Sequence, residues 1–337
     1  MILAGDIGGT SARLAYFELR NGRLAVIADH TYRSREHPTL ESAIEKFITE
    51  QNIKVQVACF GIAGPIRARK VVTPNLPWQI DAAVLERELG IARVFLLNDL
   101  EANAYGLSEL TDRDYATVAT GITEAVGNRA VISAGTGLGE AGLFWDGASH
   151  HPFPCEGGHA DFAPTDDLQI ELLQFLRKKF GGHVSTERVL SGPGLHNIYE
   201  FLRDTGKGKE EPWLAEEMKT QDPSACISQN GLSGKSPLAA MALDVFVDIY
   251  GAEAGNFALK TLALGGVYIG GGIAPKILSK LQQPRFLQAF KNKGRLAGLL
   301  EQMPVRVILN DKTALLGAAH VAISHDVINA EAKVFSA

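Results

Sequence analysis

The sequence has little of what would place the protein outside the cell, in a membrane or on nucleic acid. Its three cysteines, Cys59, Cys155 and Cys226, are odd in number and far apart, which indicates reduced thiols in the cytoplasm rather than a disulfide framework. No apolar run approaches the ~20 residues that span a bilayer, and because the first residues already predict a strand, we expect no signal peptide. A net charge of -5 without a basic run disfavours nucleic acid and membrane surfaces as partners.

Motifs of several enzyme classes are also missing. The Walker pattern of P-loop proteins and the protein-kinase signature set do not occur. Cys155 and His159 could suggest a metal site, but no second pair of cysteines or histidines stands at ligand spacing, which disfavours zinc. The length of 337 residues exceeds the usual size of a single hydrophobic core, so two domains are expected.

A glycine-rich turn near the start of the chain is the feature around which the other motifs are organised. The apolar run 2–4 and the alternating run 13–17 predict a β-hairpin. Its turn contains Gly5, Asp6, Ile7, Gly8, Gly9 and Thr10. Backbone N–H groups of such a turn form a concave site for phosphate, and Asp6 would repel phosphate unless a divalent cation such as Mg²⁺ lay between them. The alternative is an ordinary turn in which aspartate is favoured by its turn propensity.

The same plan recurs later in the chain. Residues 130–133 predict a strand, 134–139 a glycine turn and 141–145 a returning strand, which suggests two related domains facing one nucleotide. Residues 137–142 also match the dinucleotide fingerprint G-x-G-x-x-G, but that motif requires a helix directly after the turn. Because a strand and a turn are predicted there instead, an oxidoreductase is the weaker interpretation.

Three antiparallel strands followed by strand–helix–strand units are typical of an α/β protein. Thr39 is expected to cap one helix, and Asp81 to cap another that stops at Gly90. Residues 185–188 resemble the start of a helix, and residues 204–236 predict a mobile excursion with some helix near 213–218.

A polar stretch near residue 110 marks the expected boundary between the domains. We expect a small domain over residues 1–110, completed by 301–337, and a large domain over 111–300. The last segment is predicted to contain a strand at 305–309 and a helix at 313–323, which would return the chain to the first domain.

Five polar residues are candidates for chemistry. Asn98 and Asp99 follow a predicted parallel strand, at the end where ligands of open sheets collect, and Asp99 could accept a hydroxyl proton. A plain turn pair is about as good an explanation. Glu156 and His159 bracket two glycines, so both side chains can converge on one small ligand. Glu187 either joins them or stabilises the positive end of a helix.

Taken in order, several sequence blocks resemble the bacterial glucokinase family, within the superfamily that includes hexokinases and actin. The blocks are GDIGGTSARL, LNDLEANAYGL, SAGTGLGEAGL, PCEGGHADFAP, HVSTERVLSGPGL, GGVYIGGGIAP and LLGAAH. The resemblance extends over nearly the whole chain. Ser11 departs from the asparagine expected in many relatives, and the cysteine-rich zinc motif of the ROK-type sugar kinases is missing from the sequence, so the plain glucokinase branch fits better.

The resemblance implies an α/β, two-domain actin-like ATPase (ribonuclease H-like) fold with a cleft between domains. It also implies ATP and Mg²⁺ as cofactors, transfer of the γ-phosphoryl group to the 6-hydroxyl of glucose, a cytoplasmic location and a homodimer. Asp99 matches the catalytic base, and the sugar-binding residues match Asn98, Asp99, Glu156, His159 and Glu187. The nucleotide-binding residues match Gly5, Asp6, Ile7, Gly8, Gly9, Thr10, Gly135, Thr136, Gly137, Gly139, Gly270, Gly271 and Gly272, with Asp6 on the metal, directly or through water.

Other functions remain open on the same residues. A different hexose or acetamido-sugar kinase would share the core. A non-catalytic, sugar-sensing repressor would need a DNA-binding segment, for which the early position of Gly5 leaves no expected space. An actin-like or chaperone ATPase would need a polymer interface or a peptide-binding domain.

Overall fold

The computed structural model of the chain describes residues 1–73, 76–122 and 124–334, and the side chains up to residue 324. These residues form two compact units. The first consists of residues 1–113 together with the segment that begins at Asn310, and the second consists of Asp114–Leu309. In the part of the chain that the structure describes, none of the helices combines the length and the apolar character needed to cross a membrane.

The first unit is built on a five-stranded mixed sheet with the strand order β3-β2-β1-β4-β7. Its strands and helices are β1 (Ile2–Ile7), β2 (Ser11–Arg20), β3 (Arg23–Arg33), α1 (Leu40–Gln51), β4 (Val57–Ile62), β5 (Lys70–Val72), β6 (Gln79–Asp81), α2 (Ala82–Leu89), β7 (Arg93–Asn98), α3 (Asp99–Gly106) and α12 (Thr313–Val334). Strands β1, β4 and β7 are parallel, whereas β2 and β3 form an antiparallel meander beside β1. Both faces of β1 and β4 are buried, because α1 and α2 cover one face and α3 and α12 cover the other.

The second unit repeats this plan in a six-stranded sheet of order β11-β10-β9-β12-β13-β8. Its elements are β8 (Tyr115–Ala119), β9 (Arg129–Ala134), β10 (Leu138–Trp145), β11 (His150–Cys155), α4 (Asp167–Phe180), α5 (Gly192–Asp204), α6 (Pro212–Thr220), α7 (Pro223–Leu232), α8 (Pro237–Thr261), β12 (Val267–Gly270), α9 (Leu278–Leu281), α10 (Pro284–Lys291), α11 (Ala297–Leu300) and β13 (Val305–Ile308). Strands β9, β12 and β13 are parallel, and β10 and β11 form the antiparallel hairpin. The long helix α8 is buried along most of its length.

Several sequence-based predictions of local structure are confirmed. Thr39 caps α1 by accepting a hydrogen bond from the Ser42 amide. Asp81 caps α2, which ends at Gly90 in the left-handed conformation. The strand β10 follows the second glycine turn directly, so the helix that a dinucleotide fingerprint requires is not formed there.

Other predictions of local structure are wrong. Residues 204–236 contain α6 and α7 rather than a mobile excursion; α6 confirms the helix expected near 213–218, whereas α7 was not predicted. Pro212 and Pro223 start these helices, and their apolar residues Leu214 and Ile227 are fully buried. A helix does start after Ser185, as expected, but it is the single 3₁₀ turn Thr186–Arg188, and the following α-helix, α5, begins only at Gly192.

The chain returns to the first unit at Asn310, whereas the sequence predicted a return at residue 301. The strand β13 explains the difference, because it pairs with β12 and β8 of the second sheet. The helix α12 then packs on the first sheet and is longer than the predicted span of residues 313–323.

Candidate functional site

The first glycine turn is shorter than the sequence predicted. Gly5, Asp6 and Ile7 belong to β1, because they pair with β2 on one side and β4 on the other, so the turn itself is Gly8–Thr10. Gly5 is needed for packing, since a Cβ there would lie 2.5 Å from the ring of Phe60.

The hydrogen bonds of this turn decide which of its amides can face a ligand. The Gly8 amide donates to the carbonyl oxygen of Ser11 at 2.9 Å and closes the turn, and the Ser34 hydroxyl donates to the Gly8 carbonyl. The amides of Gly9 and Thr10 make no such bond among the described residues and remain as donors for an anion.

Asp6 lies partly buried in β1, one residue before the end of the strand. Burial raises the pKa of its carboxyl group, and the guanidinium of Arg13 opposes that shift. Arg13 itself is bound to Asp311, through the carbonyl oxygen at 2.7 Å and the carboxylate at 2.9 Å. A poorly hydrated carboxylate beside a phosphate turn is a suitable ligand for Mg²⁺, which proteins commonly hold by one or two carboxylates and the substrate's phosphates. These residues therefore fit the metal that the resemblance implies.

Asn98 and Asp99 lie at the same edge of the first sheet as the glycine turn. Ile62 of β4 is in register with Ile7 of β1 and with Asn98 of β7, so the ends of the three strands are level. Two strand spacings separate β1 from β7, or about 10 Å. The sheet thus places the predicted base and the predicted phosphate turn on one edge of the first unit.

A capping box fixes the orientation of Asn98 and Asp99. Asn98 is the N-cap of α3, and its side-chain oxygen accepts from the Leu100 amide at 3.0 Å. Glu101 accepts a hydrogen bond from the backbone N–H of Asn98. This bond lowers the pKa of Glu101, but burial raises that pKa by more. The side-chain NH₂ group of Asn98 donates to the Gly64 carbonyl at 3.3 Å, its single acceptor among the described residues. The second N–H of this group can therefore reach a ligand.

Gly61 lets the start of α3 approach β4. A Cβ at this position would lie 2.8 Å from that of Ala102 and 3.7 Å from the Cα of Asp99. Neither α3 nor the role of Glu101 was predicted from the sequence, although the spacing Asn98-x-x-Glu101 is the signature of a capping box.

In the second unit, the glycine turn is Gly135–Gly137, because Gly139 belongs to β10 and pairs with Ser133. The Gly135 amide donates to the Gly137 carbonyl at 2.8 Å, which leaves Thr136 and Gly137 as candidate phosphate donors. This arrangement parallels the first turn, where the leading glycine also uses its amide to close the loop.

Gly270, Gly271 and Gly272 lie against the end of β9. Gly270 is in register with Ser133, and Gly271 has φ of +79° and lies so close to β9 that a Cβ would be 2.3 Å from the Ala134 carbonyl oxygen. The two glycine segments of the second unit therefore share one edge of its sheet.

Glu187 contacts the second glycine turn directly. Its carboxylate accepts a hydrogen bond from the Leu138 amide at 3.0 Å, and a Cβ at Gly137 would lie 2.5 Å from the same oxygen. The Ser191 hydroxyl donates to the Glu187 carbonyl at 2.7 Å and also caps α5. Glu187 does lie in the first turn of a 3₁₀ helix, but its carboxylate binds the Leu138 amide beside the glycine turn.

Glu156 and His159 lie in a tight turn, residues 156–159, which we call the 156–159 loop. Both side chains are 61% exposed, and their nearest oxygen and nitrogen atoms are 4.0 Å apart, so they face solvent together. The loop packs on β10, because a Cβ at Gly158 would lie 2.1 Å from the Leu138 carbonyl oxygen.

Backbone bonds hold this loop beside the segment that carries Glu187. The Thr186 amide donates to the Ala160 carbonyl and the Phe162 amide to the Val184 carbonyl, each at 2.9 Å. Thus the loop that carries Glu156 and His159 and the segment that carries Glu187 both lie against Leu138, at the start of β10 and next to the glycine turn. A buried acid nearby, Glu140, was not predicted, since the expected strand began after it.

The chain is similar to known proteins over nearly its whole length. The family model described as glucokinase matches residues 3–325. A glucokinase of Nostoc sp. is 42% identical over 334 residues, covering 95% of this chain and 98% of the relative. The crystal structure of a glucokinase from an Antarctic psychrotroph superimposes with a TM-score of 0.81 at 33% identity, over 96% of this chain and 98% of that one.

A more distant structure shows the same fold. It is a ROK family glucokinase from Streptomyces griseus, solved in complex with glucose and AMPPNP. Its TM-score is 0.65 at 19% identity, with 96% of this chain and 99% of that chain covered. The α/β, actin-like sugar kinase fold implied by the sequence blocks is therefore confirmed.

Proposed function

The chain belongs to the glucokinase family and catalyses the ATP-dependent phosphorylation of glucose, and from this premise we propose that Asp99 is the base for the sugar's 6-hydroxyl. The observation that carries the proposal is the register of the first sheet, in which Ile62 is level with both Ile7 and Asn98. That register supports the proposal, because it puts Asp99 and the turn Gly8–Thr10 at the same edge of the first sheet.

Phosphoryl transfer depends on position and on neutralisation of charge more than on covalent chemistry by the protein. In the proposed mechanism, the amides of Gly9, Thr10, Thr136 and Gly137 bind phosphate oxygens of ATP, while Gly270–Gly272 accommodate the adenosine end. Asp6 would hold Mg²⁺, which when bound neutralises charge on the phosphates. Asp99 accepts the hydroxyl proton as the sugar oxygen attacks the γ-phosphorus atom.

Four residues are assigned to the recognition of glucose hydroxyl groups. Asn98 offers its remaining N–H, and Glu156, His159 and Glu187 offer an exposed acceptor, an imidazole and a carboxylate. A site built from such hydrogen bonds can reject a sugar that lacks one partner by about 10⁴-fold or more.

The cellular context is proposed on separate grounds. Cys59, Cys155 and Cys226 are all free thiols in the structure, which supports a reducing compartment and hence the cytoplasm. The family resemblance supports a homodimer. Light scattering on the purified protein tests the second point, since a monomer at micromolar concentration would contradict it.

A coupled assay with ATP and a panel of sugars tests the proposed reaction. Glucose, mannose, fructose and N-acetylglucosamine are compared by kcat/KM, and the phosphorylated carbon of the product is identified by NMR. We expect the highest kcat/KM for glucose and phosphate on carbon 6. Preference for another sugar, or ATP turnover that is independent of sugar, would contradict the proposal.

A further inference from the structure

Glu140 is a buried acid in the core of the second unit. It lies on β10 on the same face as Leu138, is 1% exposed, and neither of its carboxyl oxygens has a hydrogen-bond partner among the described residues. An ionised carboxylate in such a place is strongly disfavoured unless it is paired. Burial, reinforced by the negative charge of Glu253 and opposed by Lys260, raises the pKa of Glu140 to about 8. The group is therefore neutral at pH 7.

The carboxyl group of Glu140 lies directly beneath the 156–159 loop. A Cβ at Gly157 would be 1.8 Å from its Oε2 atom, so the main chain of Gly157 rests against the acid and only glycine leaves the room. The backbone of Glu140 is also paired with Cys155, whose thiol donates to the Glu140 carbonyl at 3.5 Å. The buried carboxyl group and the loop therefore cannot move independently of each other.

Among the described residues, no cation binds the carboxyl group of Glu140. Helix α8 presents Glu253, Lys260 and the hydroxyl of Tyr250, β11 presents Cys155, and the loop itself carries Glu156. Glu253 is buried and takes its hydrogen bond from Asn256, with Lys260 at 3.7 Å. Lys293 also faces Glu253, but its ammonium group donates to Ala252 and Asn256. A negative charge on Glu140 would therefore meet a second buried carboxylate.

We propose that Glu140 is a positioning residue: its neutral carboxyl supports the 156–159 loop in the conformation that binds glucose, and its ionisation displaces that loop. Because the main chain of Gly157 rests against the Glu140 carboxyl group, relief of the repulsion moves this loop and, with it, the side chains of Glu156 and His159. This inference rests on the proposed function, because it takes the loop to bind the sugar.

The first test measures the KM for glucose from pH 6.5 to 9.5. The wild type should show a KM that is constant at low pH and rises toward tenfold per pH unit above about 8, because only the protonated form binds well. The KM for ATP should not show this rise. The Glu140→Gln variant keeps the shape and the neutrality of the side chain, so its glucose KM should match the wild type at pH 7 and lack the alkaline rise.

Two further variants change the charges around Glu140 and leave the loop untouched. Glu253→Gln removes a repelling charge and should move the onset of the rise to lower pH, whereas Lys260→Gln removes an attracting charge and should move it to higher pH. These opposite shifts also test the proposal if Glu140→Gln does not fold. An alkaline rise that persists in Glu140→Gln, or that fails to move in both neighbouring variants, would overturn it.

Hydrogen–deuterium exchange without sugar separates this inference from the proposed function. At pH 9 the peptide that contains residues 156–159 should exchange faster in the wild type than in Glu140→Gln, and at pH 6.5 the two should be equal. Equal rates at pH 9 would overturn the positioning role itself. If the exchange rates differ but the glucose KM does not change with pH, the loop moves without affecting sugar binding. That result would contradict the sugar-binding role of the loop and so overturn the proposal.

Discussion

The substitution Gly137→Ala addresses the contact between Glu187 and the second glycine turn. The new Cβ would lie 2.5 Å from Glu187 Oε2, which is the far end of a flexible side chain, so the carboxylate can move away without disturbing the main chain. Its hydrogen bond with the Leu138 amide, now 3.0 Å long, would then be lost. We therefore expect the variant to fold with a displaced Glu187 and with a thermal stability lowered by no more than the loss of this one hydrogen bond.

The size of the effect on the glucose KM follows from the hydrogen bond that a displaced Glu187 would no longer make to the sugar. A hydrogen bond to a charged group contributes about 1.5–3 kcal/mol, and about 1.4 kcal/mol corresponds to a tenfold change in binding. If Glu187 binds glucose in its present position, the KM for glucose should rise about 10- to 100-fold. Steady-state kinetics with saturating ATP measures this rise, and differential scanning calorimetry verifies that the fold is intact.

Gly135→Ala is the matched control in the same turn, since its Cβ would have no atom within 4 Å. It should leave the glucose KM within about twofold of the wild type. In a Glu187→Ala background, Gly137→Ala should add little, so the two substitutions are strongly non-additive. A glucose KM that Gly137→Ala leaves unchanged, or additive effects in the double variant, would refute the assigned contact.

Three other predictions concern single acids. Glu101→Ala removes the capping box below Asn98 and should lower the free energy of unfolding by about 1 kcal/mol, measured by urea denaturation, and reduce kcat/KM; an unchanged kcat/KM would argue against its positioning role. Glu156→Ala should raise the glucose KM, whereas a change confined to the ATP KM would contradict the loop's assignment. Between pH 5 and 8 the native state retains the Glu140 proton, whereas the unfolded chain has released it. As the pH rises through this range, the free energy of unfolding of the wild type should therefore fall relative to that of Glu140→Gln by on the order of 1 kcal/mol per pH unit. Parallel curves of stability against pH would contradict this.

Much of the site could be predicted from the sequence because its parts are local. The glycine turns between alternating apolar runs predicted both hairpins, and the buried run before Asn98 predicted a strand that ends at the site. The turns are shorter than predicted, because pairing with neighbouring strands makes β1 continue through Ile7 and makes β10 start at Leu138. Register across a sheet is a property of the fold and is not visible in one strand.

The features that were missed depend on tertiary packing. The strand β11 contains Pro152 and Pro154 and does not resemble a strand, but proline is tolerated there because β11 lies at the edge of the sheet. Helix α7 was missed because only a few of its residues, such as Ile227, are buried, whereas the helix expected near 213–218 is present as α6. The burial of Glu140 was not predicted, because the core face of a strand is recognised by its apolar residues and an acid does not fit that pattern.

Turnover of the Asp99→Asn variant tests the central claim most directly, because asparagine preserves the shape of the side chain and cannot accept the proton. Calorimetric titration with glucose should show binding close to that of the wild type, and kcat with ATP should fall by about 10²-fold or more. A variant that binds glucose and turns over at a near-normal rate would show that the carboxylate of Asp99 is not the base.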